Sequence, residues 1–393
     1  MTAAAALPRV LFVVPRYPPP VTGGLEGQAH ELARALARRG VRVTALSEAA
    51  EAGQRDGPHE GIRVLRVSGR GGPPLRAVAL LRRMAALRGE YDVVHLHNLS
   101  WFAVPVILGA HVLGRPVLSK LPSFGMLGGL PRMVSRRGGG AWLRVFRRSD
   151  AVVALSDESE AEVRDLGFSA DRVVRMSNGV STERFHPATD RVEGGPVRFV
   201  YLGRLSPEKG VEDLLEAWPA VVAAAGVPVR LDVYGAGPML EALRRRAAEL
   251  GDSVALHGLV DDVPEVLRAA EVFVLPSYVE GNSNALLEAM ATGLAVVASR
   301  IGGTPFLVGD AGARWLVPAG DRAALAARMA ELAGDRELRH AAGTALLARA
   351  RAHFDVDAVA GAYLDVYRRL ARNASAPSPA GAREPREAPS TRL

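Results

Sequence analysis

The stretch Glu280–Ala298, EGNSNALLEAMATGLAVVA, joins a glycine- and asparagine-rich loop, a short helix and an apolar strand. Ser283 or Asn284 is placed to cap the helix, and Gly293 to stop it. A loop that leads into a helix N-terminus presents unpaired backbone N–H groups and the positive end of the helix dipole. That arrangement suits a phosphate. Glu280 precedes the helix and Glu288 sits on it, with seven residues between them. Their carboxylates would hold hydroxyl groups on either side of such a phosphate. A surface helix carrying two solvated glutamates fits the same residues.

Outward from this stretch, apolar segments of strand length alternate with helical ones along most of the chain. Arg9–Val14 is almost wholly apolar, as a strand buried on both faces should be. A loop containing Gly23 and Gly24 follows, then a helix over Leu25–Arg39 closed by Gly40 and a strand over Val41–Leu46. Further strands are expected at Ile62–Val67, Asp92–Leu96, Pro116–Ser119, Ala151–Leu155 and Arg172–Met176, with helices at Leu75–Leu87 and Trp101–Leu113. NGVSTERFHP (178–187) breaks the pattern with turn residues, and the polar, glycine-containing 190–196 marks a domain boundary. A second alternation has strands at Val197–Leu202, Arg230–Tyr234, Val254–His257, Val272–Leu275, Ala295–Ala298 and Ala313–Val317. Ala323–His353 reads as helical, and His353–Leu370 as a last amphipathic helix.

Two such units in succession imply an α/β protein of two Rossmann-like domains with a cleft between them, where ligands lie outside the carboxyl ends of the strands. The expected division is 1–191, 192–352, a terminal helix at 353–372, and a disordered Pro-, Ala-, Ser- and Arg-rich tail at 373–393.

Composition narrows the chemistry. The 393 residues include no cysteine, which removes disulfides, thiolate catalysis and cysteine-ligated metals. A formal charge of +7 suits an anionic ligand or surface. The arginines are dispersed, aromatics are few, and no nucleic-acid module pattern is present, so nucleic acid is not an expected partner. The N-terminal apolar run is of strand length without a basic segment before it, and Trp101–Leu118 is interrupted by Pro105, His111, Arg115 and Pro116. These features point to a cytoplasmic protein. The basic, glycine-rich segment 125–148, with Trp142, Leu143 and Phe146, would suit peripheral contact with an anionic membrane face; a mobile basic loop before a core-facing helix is the plainer alternative.

Several smaller motifs fall at strand ends. Gly23–Gly24 follows the first strand, where glycine allows close approach to an anion, but it lacks the spacing of a dinucleotide fingerprint or a P-loop. GRLSPEKG (203–210) places Arg204 and Lys209 just beyond a strand, where two cations can neutralise a diphosphate. Gly235–Leu240 repeats the strand–glycine–helix arrangement, and Gly258 and Leu259 could bracket a nucleobase through their backbone. Asp355 and Asp357 have the spacing of a metal-binding pair but open the last helix, so capping is the better reading. His95 and His97 in YDVVHLHN are expected on opposite faces of a strand, a spacing unsuited to one metal.

Taken together, these motifs give a chain that resembles the retaining nucleotide-sugar glycosyltransferases of GT-B fold in glycosyltransferase family 4. EGNSNALLEAMATG looks like that family's Glu-x7-Glu motif, and GGLEGQAHELARALARRG, YDVVHLHN, NGVSTERFHP and GRLSPEKG stand in the expected order. The resemblance covers nearly the whole chain up to the terminal helix. It implies that Glu280 contacts the donor sugar and Glu288 the ribose hydroxyls. It likewise implies that the backbone N–H groups of Asn284, Ala285 and Leu286 surround the diphosphate. Arg204 and Lys209, behind Gly203, would stabilise its charge, and Gly23–Gly24 would close on it from the other domain. The terminal helix would cross back onto the first domain. No cofactor or metal is implied; a UDP- or GDP-linked sugar would be the substrate.

One position departs from the pattern. The family often carries a histidine after the strand equivalent to Pro116–Ser119, and RPVLSKLPSFG has Lys120 there. Lys120 could contact sugar or phosphate, or face solvent. The expected activity is hexosyl transfer to an acceptor hydroxyl of a lipid-linked glycan, a polysaccharide or a small natural product. The rivals are a donor-binding partner protein without turnover and a phosphorylase-like enzyme of the same fold.

Overall fold

A computed structural model of the protein describes residues 6–19, 23–49, 54–68, 71–99, 102–121, 139–189 and 194–375. The first half forms an eight-stranded sheet in the order β3-β4-β2-β1-β5-β6-β7-β8. These strands are β1 Val10–Val14, β2 Val43–Glu48, β3 Gly57–His59, β4 Ile62–Val67, β5 Val93–His97, β6 Val117–Lys120, β7 Ala151–Ala154 and β8 Val173–Arg175. All pairs are parallel except β3 with β4. Helices α1 Gly24–Arg38, α2 Pro73–Ala86, α3 Ala103–Val112, α4 Gly139–Phe146 and α5 Asp157–Asp165 connect them. Every residue of β1 is buried, because helices cover both faces of the sheet.

The second half forms a six-stranded parallel sheet in the order β11-β10-β9-β12-β13-β14. Its strands are β9 Val197–Leu202, β10 Val229–Tyr234, β11 Val254–Gly258, β12 Val272–Leu275, β13 Ala295–Ser299 and β14 Leu316–Val317. Its helices are α6 Val211–Ala224, α7 Leu240–Glu249, α8 Val263–Arg268, α9 Asn284–Ala291, α10 Thr304–Gly312, α11 Arg322–Gly334 and α12 Arg336–His353. The last helix, α13 Val356–Ser375, returns to the first sheet. There Val356, Val359, Tyr363 and Tyr367 share one core with Phe12, Ala29 and Leu36. The architecture is that of a GT-B fold, two parallel-sheet domains with helices on both faces.

Both sheets change direction at one strand. β1 lies between β2 and β5, and β9 lies between β10 and β12. The loops leaving neighbouring strands there run to opposite faces, which opens a crevice at the carboxyl ends. The crossover between domains also contributes: Val180 and Phe185 pack in the core cluster of α9 and α12, and Val180 N–H donates to Phe354 O at 2.8 Å. The expected boundary at 191–192 lies outside the described residues.

Several expectations need correction. Strand β3 was not anticipated, because three residues that include Gly57 and Pro58 carry little strand signal; β4 supplies their partners. The strand expected over Ala313–Val317 contracts to Leu316–Val317, since Ala313–Trp315 forms a turn that buries Trp315. The helical run Ala323–His353 is two helices, divided at Asp335, whose extended backbone (φ −120°) and side chain cap α12 through Leu338 N–H at 2.9 Å. The last helix begins at Val356 rather than His353 and continues to Ser375. Its start is set by Asp355, which accepts from Asp357 N–H at 2.9 Å and from the Thr182 hydroxyl at 2.6 Å, so the acidic pair serves as a cap. Residues 376–393, most of the expected tail, lie outside the described residues.

The segment 125–148 is described only from residue 139. There α4 turns Trp142, Leu143, Val145 and Phe146 into the core of the first sheet, with Trp142 and Phe146 rings stacked at 5.3 Å. This apolar side therefore packs at least in part within the fold; residues 125–138, which carry the rest of the expected membrane contact, lie outside the described residues. Among the described residues, no helix is long and apolar enough to cross a membrane.

Candidate active site

The crevice between the sheets contains a cavity of about 290 Å³ lined from both domains. From the first come Gly24, Gln28, His97, Asn98 and Lys120; from the second, Gly203, Arg204, Lys209, Glu280, Asn284 and Ala285. The crossover adds Asn178. These groups stand at strand carboxyl ends, in the loops that follow them, or in the first two turns of the following helices.

The stretch that begins at Glu280 folds as its sequence implies. Ser283 caps α9, its hydroxyl accepting from Leu286 N–H at 3.4 Å, and Gly293 takes the left-handed φ of 77° just after the helix. Asn284 and Ala285 line the cavity, so the helix N-terminus faces it. Leu286 N–H is engaged by the Ser283 cap, and Leu286 does not line the cavity.

The charges are arranged asymmetrically. Lys209 Nζ donates to Glu280 Oε1 at 2.6 Å, and the same oxygen accepts from Ser277 Oγ at 2.9 Å. Arg204, in contrast, has an exposed guanidinium with no hydrogen bond or ion pair among the described residues. Its backbone is held instead: Tyr201 OH donates to Arg204 O at 3.0 Å. Lys120 is 8% exposed and donates to Asn178 Oδ1 at 2.8 Å. Burial pushes its ammonium down to about 8. Among the described lining side chains, three cations therefore face one carboxylate, a balance suited to a diphosphate.

A chain of amides ties the two domains together across this cavity. Asn178 accepts from Lys120 and donates through Nδ2 to Asn282 O at 3.2 Å and Asn284 Oδ1 at 2.7 Å. Asn284 Nδ2 donates in turn to Gly24 O at 2.7 Å. Gln28 makes two bonds to Gly179, at 2.7 and 3.2 Å. A Cβ added at Gly24 would lie 2.9 Å from Asn284 Nδ2, so glycine there permits the approach of the two loops.

Not all the expected residues converge. Gly23 is exposed beside the cavity rather than lining it, and an added Cβ would meet Glu26. Gly258 O accepts from Gly235 N–H, and the Leu259 side chain is 81% exposed; neither lines the cavity. Glu288 is on α9 one turn beyond the lining residues, facing Arg184 and Glu31.

The two histidines of β5 share a face, contrary to the expectation. Side chains two apart on a strand point the same way, and their rings lie 3.8 Å apart. His95 Nδ1 contacts Tyr367 OH at 2.7 Å, while His97 reaches the cavity wall. Burial and the nearby Lys120 hold both well below the usual histidine range, so they are neutral at physiological pH.

Sequence reasoning missed Asn178, Asn282, Gln28 and Asn98 as site residues. The asparagines gave a faint signal, since they lie within the quoted motifs. Asn98 takes a φ of 99°, unusual for a non-glycine residue, directly after β5.

Comparison with known proteins agrees with this geometry. The sequence profile for Glycosyltransferase Family 4 matches residues 22–184, and that for group 1 glycosyl transferases matches residues 196–335. A D-inositol 3-phosphate glycosyltransferase of Geodermatophilus obscurus is 32% identical over 364 residues, covering 80% of this chain and 79% of that one. This chain belongs to glycosyltransferase family 4. The transferase is also 29% identical to a glycogen synthase of Mycobacterium tuberculosis, over 94% of its own length and 97% of the relative's. Its fold matches the Anabaena Alr3699/HepE protein in complex with UDP-glucose, with a TM-score of 0.74 and 20% identity over 94% of this chain and 99% of that one.

Within the transferase, Glu288 gives a stability prediction. Burial raises its carboxyl to about 7, with Arg184 opposing and Glu31 adding to the shift. An acid whose folded pKa lies above its unfolded value of 4.5 binds more protons when folded between these two values. Its contribution to stability therefore falls as pH rises from about 4.5 to 7 and stays lost above that. Glu288→Gln escapes this loss. Melting followed by circular dichroism should show the variant gaining on the wild type between pH 5 and pH 8; an unchanged difference would contradict the assignment.

Proposed function

We propose that the transferase moves a hexose from a nucleoside-diphosphate donor to an acceptor hydroxyl, with retention of anomeric configuration and without a metal ion at the donor site. One observation carries this reading. Arg204, Lys209 and the N-terminus of α9 converge from one domain on a cavity whose opposite wall is Gly24, His97 and Lys120 of the other. Fixed cations and helix N–H groups there supply the charge stabilisation that a departing diphosphate needs. The relationship to nucleotide-sugar enzymes and the fold match to a protein holding UDP-glucose support a UDP-sugar as the first donor to test, with GDP-sugars next.

In this reading the diphosphate lies against Arg204, Asn284 and Ala285. Glu280, oriented by Lys209 and Ser277, accepts from sugar hydroxyls, and Glu288 accepts from the ribose. The acceptor enters from the first domain. Its oxygen bonds to the anomeric carbon on the face from which the diphosphate leaves, the bond from that carbon to the phosphate oxygen breaks, and the acceptor proton passes to the diphosphate. Positioning in the closed cleft and charge stabilisation then account for the catalysis, without a covalent nucleophile on the protein.

A panel of UDP- and GDP-sugars tests the donor. The matching one, at about a hundred times its dissociation constant, should stabilise the fold by roughly 2.7 kcal/mol in a thermal-shift assay. Acceptor-dependent release of nucleoside diphosphate that persists in EDTA, with product anomeric configuration read by NMR, tests the rest. Donor binding with no release in the presence of broad acceptor mixtures would favour a partner protein, and sugar phosphate formed from inorganic phosphate would favour a phosphorylase.

A further inference from the structure

A second cluster lies on the first domain, made by α1 and the β3–β4 hairpin. His30 stands on α1, His59 ends β3, and Glu60 opens the turn into β4. His59 pairs with Ile62, and Glu60 and Gly61 take φ values of 46° and 80°. Two successive left-handed residues make a tight primed turn, which fixes Glu60 over the helix. One ligand atom from each of His30, His59 and Glu60 lies within 4.8 Å of the other two. None of the three lines the donor cavity.

His30 is 7% exposed. Its Nδ1 contacts Tyr17 OH at 3.1 Å, which sets the ring, and its buried Nε2 makes no well-aligned hydrogen bond among the described residues. That nitrogen faces Glu60 Oε2 at 3.4 Å, while His59 Nε2 lies 4.0 Å from Glu60 Oε1. The two imidazoles are 4.9 Å apart, centre to centre. A tetrahedral ion with bonds of about 2.0–2.1 Å separates its ligand atoms by roughly 3.3 Å, so the His30–Glu60 pair already has the required span, and His59 closes the set by moving inward by up to about 1.5 Å.

We propose that His30, His59 and Glu60 form a binding site for one divalent transition-metal ion of the zinc type, with a fourth position open to water. Two imidazoles and a carboxylate are a ligand set suited to zinc, and the Tyr17 contact holds His30 as an outer-shell partner should. Arg34 lies 3.0 Å from Glu60 Oε2 and anchors the carboxylate beside the helix. The bound ion would staple the hairpin to α1, the helix whose first residue, Gly24, meets Asn284 at the donor cavity.

The test is calorimetric titration of zinc chloride into the full chain, carrying no histidine tag and first stripped with a chelator. One zinc per chain is expected, together with a zinc-dependent rise in melting temperature. His59→Ala and Glu60→Gln should each weaken zinc binding tenfold or more and abolish that rise. Both positions lie on the hairpin and not in the core, and melting of each variant without zinc supplies its own reference. Wild-type affinity in both variants, or no stoichiometric binding by the wild type at micromolar zinc, would overturn the proposal.

Discussion

Replacing Arg204 and Lys209 together by alanine lowers kcat/KM for sugar transfer by at least a hundredfold, about 2.7 kcal/mol of transition-state stabilisation, and leaves the fold intact. The two cations act differently. Arg204 has an exposed guanidinium without a hydrogen bond or ion pair among the described residues, so its loss should remove charge from the proposed diphosphate site and little from the structure. Lys209 is paired with Glu280 at 2.6 Å, so its loss also frees the carboxylate that is to hold the sugar. Each single substitution should reduce activity tenfold or more, and the Lys209 variant should show the added fault in sugar positioning. Because both act on one ligand, the effects need not add. Steady-state kinetics with circular dichroism as a control settles it: wild-type rates from a folded double variant would place the donor elsewhere.

Gly302→Ala should cost on the order of a hundredfold in transfer rate, because a misplacement of about 1 Å in a catalytic group has that scale of effect. Gly302 takes φ 48°, and a Cβ there would lie 1.8 Å from the Glu280 carbonyl oxygen. That distance is far inside van der Waals contact and the obstacle is backbone, so the Glu280 loop must move. Gly226→Ala is the matched control, since it has φ 67° and nothing within 4 Å of an added Cβ. Both variants bear the left-handed penalty of about 1–2 kcal/mol, but only Gly302→Ala displaces the site. Equal activity in the two would remove the proposed role of Glu280.

The fold was largely legible because buried parallel strands leave a strong local signal. Val10–Val14 and Val272–Leu275 are unbroken apolar runs, Ile62–Val67 is apolar at all positions but Arg63 and Arg66, and each became a strand. Where local signal is weak, reading failed. Gly57–His59 pairs only because β4 is beside it, and Ala313–Trp315 turns because Trp315 finds a core pocket. The histidine error was of another kind: a two-residue period puts His95 and His97 together, and the sequence alone contained that information.

The site divides along a similar line. The sequence by itself determined which residue types stand at strand ends: glycines for close approach, Arg204 and Lys209 for anion charge, and a capped helix after Glu280. These depend on local backbone conformation and on chemistry within a few residues. Tertiary structure alone decided who meets whom. It paired Lys209 with Glu280, 71 residues apart, and linked Lys120, Asn178, Asn284 and Gly24 into one interdomain chain. It also left Gly258 and Leu259 away from the cavity and set His30 beside the Glu60 turn. Such pairings follow from how two sheets and a returning helix pack, and contacts between residues far apart in the chain have no local signature.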